Sequence, residues 1–270
     1  MFNLFKRAFK SDRPPITAAE QLVQARDAAM AGDYAAALAI WLPLAQQGNA
    51  AAQVNLGLCL ANGWGAAPDL TAAAGWLRAA ADQGHAAGQR LLAEACFKGN
   101  GVAQDDAAAL AWYRRAAEQG DVEAQDMLSW MLADADARAP DYAESRRWAE
   151  AAAAQGFAPA MTRLGNFHHH ALGVARDAEK AVEWWRKAAL AGDADAQALL
   201  GVALHLGQGV ERDPESALMW MLRAQFGGSS LAERYFNAVR SGVDDAAAAA
   251  AEQRARAPLP GDRNRSEAAA

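Results

Sequence analysis

Apolar and polar positions along this chain repeat with a single spacing. Tryptophan stands at Trp76, Trp112, Trp148, Trp184 and Trp220, each 36 residues from the last. Glycine keeps the same step at Gly48, Gly84, Gly120, Gly156, Gly192 and Gly228, and aspartate at Asp33, Asp69, Asp105, Asp141, Asp177 and Asp213. So does leucine, at Leu56, Leu92, Leu128, Leu164 and Leu200. No gap or insertion disturbs the register from Asp33 to Gly228. Four independent ladders with one spacing identify a repeat array, and a period of this length fits one pair of helices.

Within each period the ladders take distinct physical roles. The aspartate opens a second helix, where its carboxylate can accept from the unpaired N–H groups of the first turn. Pro214 follows Asp213 at the first helical position, which tolerates proline. Alanines four residues after the aspartate (Ala37, Ala73, Ala109, Ala181, Ala217), the tryptophans and later alanine pairs such as Ala80–Ala81 fall on one helix face and predict an apolar stripe. The ladder glycine then ends that helix in a left-handed cap. The first helix of the next period carries Ala52, Leu56 and Gly57, or Ala160, Leu164 and Gly165. It ends in a glycine turn: Gly63 and Gly65, Gly99 and Gly101, Gly207 and Gly209, with Gly173 alone in the fourth copy. A helix pair of this size cannot bury its apolar face by itself, so neighbouring pairs must stack.

Composition agrees. The chain has 270 residues, 53% of them hydrophobic, enough for a substantial core. Alanine dominates and β-branched residues are sparse, which favours helix. A net charge of −6 and an isoelectric point near 5.4 argue against nucleic acid as the main partner, because phosphate binding needs a basic surface. Cys59 and Cys96 form no metal or disulfide motif and read as two small buried hydrophobes. No run reaches the roughly 18 apolar residues of a membrane span. Residues Met1 to Lys10, interrupted by Lys6, Arg7 and Lys10, lack the form of a secretory signal, so the expected location is cytoplasmic.

Ala52-Gln53-Val54-Asn55-Leu56-Gly57, Gly63-Trp64-Gly65, Asp69 to Ala73, Trp76 and Ala80-Ala81 together resemble the Sel1-like repeat. The second copy (Gly99-Asn100-Gly101-Val102, Asp105, Ala109, Trp112-Tyr113, Ala116-Ala117, Gly120) and the fifth (Leu200-Gly201, Gly207-Gln208-Gly209-Val210, Asp213, Ala217, Trp220) resemble it as well. The resemblance covers about residues 18–240. It implies an all-α fold, a right-handed α-solenoid of helix–turn–helix repeats related to tetratricopeptide proteins. The expected organisation is a flexible amphipathic leader (1–15) and a solenoid (16–243), followed by an alanine-rich, then disordered, extension (244–270). The solenoid divides into a tetratricopeptide-like first pair (18–48), repeats at about 49–84, 85–120, 121–156, 157–192 and 193–228, and a closing helix (229–240). The third copy has Ala135 and Ala137 where the turn glycines belong, which predicts a differently shaped turn.

The resemblance further implies a non-enzymatic adaptor, a monomer or weak oligomer without cofactor, that holds a partner protein or peptide in a groove lined by first helices. Taking Leu56 and its equivalents as core-facing, residues two before, two after and five or six after should face the groove. This gives Asn62 in the first copy and Arg90, Glu94, Phe97 and Lys98 in the second. The third contributes Asp126, Trp130 and Asp134, the fourth Asn166, His169 and His170, and the fifth His205.

Other motifs support an enzyme or a membrane role less well. Neighbours on a helix diverge by about 100°, so His168, His169 and His170 cannot converge on one metal. His169 and His205 occupy equivalent positions on neighbouring first helices, but no third ligand accompanies them. A metal-dependent hydrolase is therefore the weakest reading. Asp134, Asp136 and Asp141 lack the glycine and closing glutamate of a calcium loop. The paired turn glycines have neither the preceding strand nor the third glycine of a dinucleotide site. Phe2, Leu4, Phe5 and Phe9 with Lys6, Arg7 and Lys10 make the leader amphipathic if helical. The alternative function is thus a membrane-peripheral organiser of envelope or signalling complexes. Arg254, Arg256, Arg263 and Arg265 in the C-terminal extension read as a solvated end.

Overall fold

A computed structural model describes residues 16–134 and 139–259. The amphipathic leader, Ala135, Asp136 and Ala137 of the third turn, and Arg263 and Arg265 lie outside the described residues.

Aspartate caps set the start of every second helix. The carboxylates of Asp33, Asp69, Asp105, Asp141, Asp177 and Asp213 each accept from the backbone N–H three residues on, at 2.9–3.0 Å. Most first helices are capped likewise, by Asn49, Asp121 and Asp193 at 2.7–2.9 Å. Phe157 offers no such oxygen, and that helix starts with Pro159 in its first turn. These bonds hold the carboxyls of Asp177 and Asp213 below the ordinary range, through the Lys180 N–H in the first case and the Ser216 hydroxyl and N–H in the second. The unfolded chain therefore binds more protons at acid pH. The stability these caps contribute is complete above about pH 4, the ordinary aspartate range, and is lost as pH falls through the lowered folded values. Melting temperature is expected to fall below about pH 4, and more shallowly in Asp177→Asn/Asp213→Asn.

The resulting elements are all helices among the described residues. The chain divides into two compact units, Met1–Trp112 and Tyr113–Ala270. The first contains α1 (Ala18–Met30), α2 (Tyr34–Gln46), α3 (Ala50–Asn62), α4 (Leu70–Asp82), α5 (Ala86–Lys98) and the start of α6 (Asp106–Glu118). The second contains the rest of α6, then α7 (Val122–Ala133), α8 (Tyr142–Ala154), α9 (Ala158–His170), α10 (Ala178–Leu190), α11 (Ala194–Leu206), α12 (Pro214–Phe226), α13 (Ser230–Arg240) and α14 (Asp245–Arg256). In the first unit each helix from α1 to α5 packs on the next, and in the second each from α7 to α13, giving an all-α solenoid of helix–turn–helix repeats. In the second unit α13 lies against both α11 and α12.

The extension expected from residue 244 is partly a structural element. Residues 245–256 form α14, which packs on α12 and buries Ala248, Ala251 and Ala255, followed by Leu259. Arg223 of α12 donates to the carbonyls of Arg254 and Ala257, and Arg254 reaches back to Glu215 at 2.8 Å. A run of alanines carries no period of its own, and the arginines expected at a solvated end include one that fastens this helix.

The left-handed ends of the second helices are present, with φ between +77° and +94° at the six ladder glycines. The turns after first helices have a further requirement. Their second glycine seats on the first residue of the preceding second helix. A β-carbon on Gly101 would lie 2.0 Å from the Leu70 carbonyl oxygen, and one on Gly209 2.1 Å from that of Ala178. In the fourth copy Ala171 replaces the first turn glycine at φ 58°, the one non-glycine residue with positive φ among those described. Holding alanine there costs about 1 kcal/mol. Ala171→Gly is expected to raise stability by roughly 0.5–1 kcal/mol, measured by urea denaturation, the gain being trimmed by the freer unfolded chain. The third copy follows neither form. Its helix stops at Ala133 with Asp134 extended (φ −70°, ψ 118°), yet the Asp141 N–H still donates to Leu132 as in the other turns.

The core follows the leucine ladder: Leu56, Leu92, Leu128, Leu164 and Leu200 are all buried. The tryptophan ladder sits shallower than expected. Trp76, Trp112, Trp148 and Trp184 are half-buried and only Trp220 is buried. The deepest position is the next residue, held by Trp41, Leu77, Tyr113, Ala149, Trp185 and Met221. Trp76 and Trp184 instead lie across the edge of the adjacent cluster. Two glutamine ladders complete the frame. Gln53, Gln89, Gln125 and Gln197 are buried, and each donates to the carbonyl eight residues earlier, at 3.1–3.3 Å. Gln83 and Gln155 donate in turn to the carbonyl oxygens of Gln53 and Gln125, at 2.8 and 2.9 Å. Paired amides remove the penalty for burying polar groups.

Candidate interaction grooves

A first helix in a stacked array is flanked on three sides, so one narrow stripe stays open. In α3 that stripe is Ala51, Asn55, Leu58 and Asn62, at spacings of four, three and four. The same register gives Leu91, Glu94 and Lys98 on α5, and Met127, Trp130 and Asp134 on α7. On α9 it gives Arg163, Asn166 and His170, and on α11 Leu199, Val202 and Leu206. Seven of the expected groove residues fall on it: Asn62, Glu94, Lys98, Trp130, Asp134, Asn166 and His170.

The positions two before the leucine behave differently. They sit in the seam between neighbouring helices, where Val54, Asp126, Thr162 and Ala198 are buried and Arg90 half-buried. Asp126, expected in the open groove, is corrected on this point: it is 8% exposed and receives the Arg163 guanidinium at 3.0 Å. The pair joins α7 to α9. Phe97 and His205 share a position turned partly inward, and both are half-buried. The His205 ring lies under the turn after α13, where a β-carbon on Gly242 would come within 3.1 Å. Its Nδ1 is buried without a hydrogen-bond partner among the described residues.

In the first unit, α3, α4 and α5 enclose a cleft of about 290 Å³. Its floor is aliphatic, with Leu58, Leu77 and Leu91, and its rim carries Asn62, Glu94 and Lys98. Glu94 and Lys98 neutralise each other at 2.5 Å.

In the second unit a groove of about 490 Å³ opens over α9, α10, α11 and α13. Leu199, Val202, Leu206 and Leu231 form an aliphatic floor, with Leu206 54% exposed, and Tyr235 stands at the edge. Asn166, His169 and His170 form the polar wall. The Trp185 indole N–H donates to Asn166 Oδ1 at 3.1 Å, and the His169 ring packs on the same indole, centroids 5.3 Å apart. Burial, with His170 and Arg176 nearby, pushes the His169 imidazole below its ordinary pKa. The aliphatic floor escapes a sequence reading that follows large polar side chains. The four-three-four register counted from Asp195 reaches Leu199, Val202 and Leu206.

Among the described residues no group of three or more His, Cys, Asp and Glu is arranged to hold a metal ion. Cys59 and Cys96 are free and buried, and burial raises both thiols. No described helix is long and apolar enough to cross a membrane.

Comparison with known proteins bears on the repeat itself. The family model described as Sel1 repeat matches residues 50–85, 86–121, 122–157, 158–193 and 194–224. Among solved structures, the chain is similar to a protective antigen of uropathogenic Escherichia coli strains, described as displaying an SLR fold. Identity is 32% and the TM-score 0.82, over 88% of this chain and 52% of that one. This chain thus spans about half the length of the antigen. It is also similar to a Sel1 repeat protein from Oxalobacter formigenes, at 25% identity and TM-score 0.78, over 88% of this chain and 97% of that one. No curated protein gives a significant match.

Proposed function

From the premise that this chain belongs to the Sel1 repeat family, we propose that it is an interaction scaffold holding a partner protein or peptide against the open stripe of its first helices. Helical repeats of this kind mediate protein–protein interactions through surfaces that stacking leaves uncovered. The observation that carries the reading is the contrast along the stripe. On an alanine-built frame, these positions bear leucine, methionine, tryptophan, histidine and arginine, and they line clefts in each unit. Large side chains kept at a surface fit an interface better than they serve stability.

Trp130, 38% exposed on α7, is the strongest single anchor in this reading. Affinity capture from the native host, followed by mass spectrometry, identifies the partner. Trp130→Ala is expected to weaken its retention at least tenfold, and Leu206→Ser, at an exposed stripe position of the same unit, to weaken it comparably, with melting temperatures close to wild type. Full retention by both well-folded variants would move the interface elsewhere. The working compartment in this reading is the cytoplasm, which fractionation of the host tests.

A further inference from the structure

The two clefts on first helices differ in charge. The first-unit cleft has its own carboxylate, Glu94, closed by Lys98. A third hollow, against α10, is lined by Glu179, Glu183, Arg186 and Lys187, both signs together. The groove over α9, α11 and α13 has no carboxylate in its lining, on a protein of net charge −6. Its polar groups are the amides of Asn166 and Gln208, the imidazoles of His169 and His170, and the Tyr235 hydroxyl. Every one of them can donate a hydrogen bond.

The orientation of one donor is fixed. Asn166 Oδ1 accepts from the Trp185 indole, which itself only donates, so the Asn166 amide must turn its NH₂ the other way. Asn166 lines the groove together with both imidazoles and the aliphatic side chains of Leu199, Val202, Leu206 and Leu231. Of the nearby guanidiniums, Arg163 on the stripe is already engaged by Asp126, and Arg176, whose charge reaches His169, does not line the groove. Donors of this kind, with no guanidinium in the lining, suit a singly charged planar acceptor better than a phosphate, which draws bidentate arginine contacts.

We infer that this groove binds an extended aliphatic peptide carrying a carboxylate, the aliphatic side chains on Leu199, Val202, Leu206 and Leu231 and the carboxylate accepting from the Asn166 amide and the His169 and His170 imidazoles. The inference rests on the reading of the first-helix stripe as the binding surface and names the chemistry of what binds there. The free carboxy-terminus of a peptide and an Asp or Glu side chain supply the same group.

Fluorescence anisotropy on the full-length protein tests it with three labelled peptides. The first is a Gly-Ser-Leu-Ala-Leu-Val hexapeptide with a free C-terminal carboxylate, and the second is its C-terminal amide. The third is an amide with Glu replacing Ser. The acid is expected to bind at least tenfold tighter than the neutral amide. Recovery of affinity by the Glu peptide assigns the group to a side chain, and no recovery assigns it to a peptide terminus. Asn166→Asp keeps an acceptor for Trp185 but replaces the donor with a negative charge, and should cost the acid peptide at least tenfold while sparing the neutral one. Leu206→Ser, at an exposed position, should weaken all three. Equal binding of acid and amide, indifference to Asn166→Asp in a variant that melts like wild type, or no binding of any peptide at millimolar concentration overturns the inference. If the native partner is still lost from Leu206→Ser in those cases, the scaffold reading stands. Failure of the full-length protein to retain any protein from its host counts against the scaffold reading instead.

Discussion

Gly209→Ala should destabilise the second unit by about 2–4 kcal/mol, the sum of a positive-φ penalty and a forced backbone displacement. The added β-carbon would lie 2.1 Å from the Ala178 carbonyl oxygen and 2.3 Å from its carbon, at the first turn of α10. Neither atom can rotate aside as a side chain would. Gly228→Ala is the control. Its φ is +77° but nothing lies within 4 Å of the added carbon, so only the conformational penalty of about 1 kcal/mol applies. Thermal melts of both variants check the difference, and amide exchange should show protection lost first around α10, α11 and α12. Equal effects would mean that the close approach of turn to helix contributes nothing.

Asp126→Ala is expected to lower stability by about 2–3 kcal/mol. The Arg163 side chain is 20% exposed and would keep its charge with its principal partner gone. Removing one member of a fully buried pair costs roughly 3–5 kcal/mol, and the remaining solvent access reduces that figure here. Asp126→Ala/Arg163→Met should recover most of the loss, because the unpaired charge is then absent as well. Urea denaturation of the single and double variants measures the coupling. Additive losses would assign the effect to packing.

The ladders made the fold readable, and where they misled, the reason is geometric. Aspartate, leucine and turn glycine each do one local job, so their spacing translates directly into caps, core and turns. Tryptophan does not, since its neighbour at Leu77, Tyr113 or Trp185 varies in type and hides the deeper row. The glutamine ladders are equally visible but look like surface polarity until the carbonyl eight residues back is known. On the open face, residue type alone does not separate stripe from seam. Residues two before the leucine point away from the core of their own pair, as expected, but in an array that direction meets the neighbouring helix. Asp126 is therefore covered while Trp130 is not.

Ser129 and Ser145 lie where other copies carry glycine or alanine and alanine. Both are fully buried, and the Ser145 hydroxyl donates to the Ser129 carbonyl at 2.6 Å, with the two hydroxyls 3.1 Å apart. A protein made of near-copies risks mispairing one hairpin's half with another's as it folds. Were α7 to mate with the second helix of any other copy described, Ser129 would meet alanine at that position and bury an orphaned hydroxyl, a fault of about 1–3 kcal/mol. The serine couple thus works as a key cut for one lock, rejecting swapped partners in the middle of a repetitive sequence.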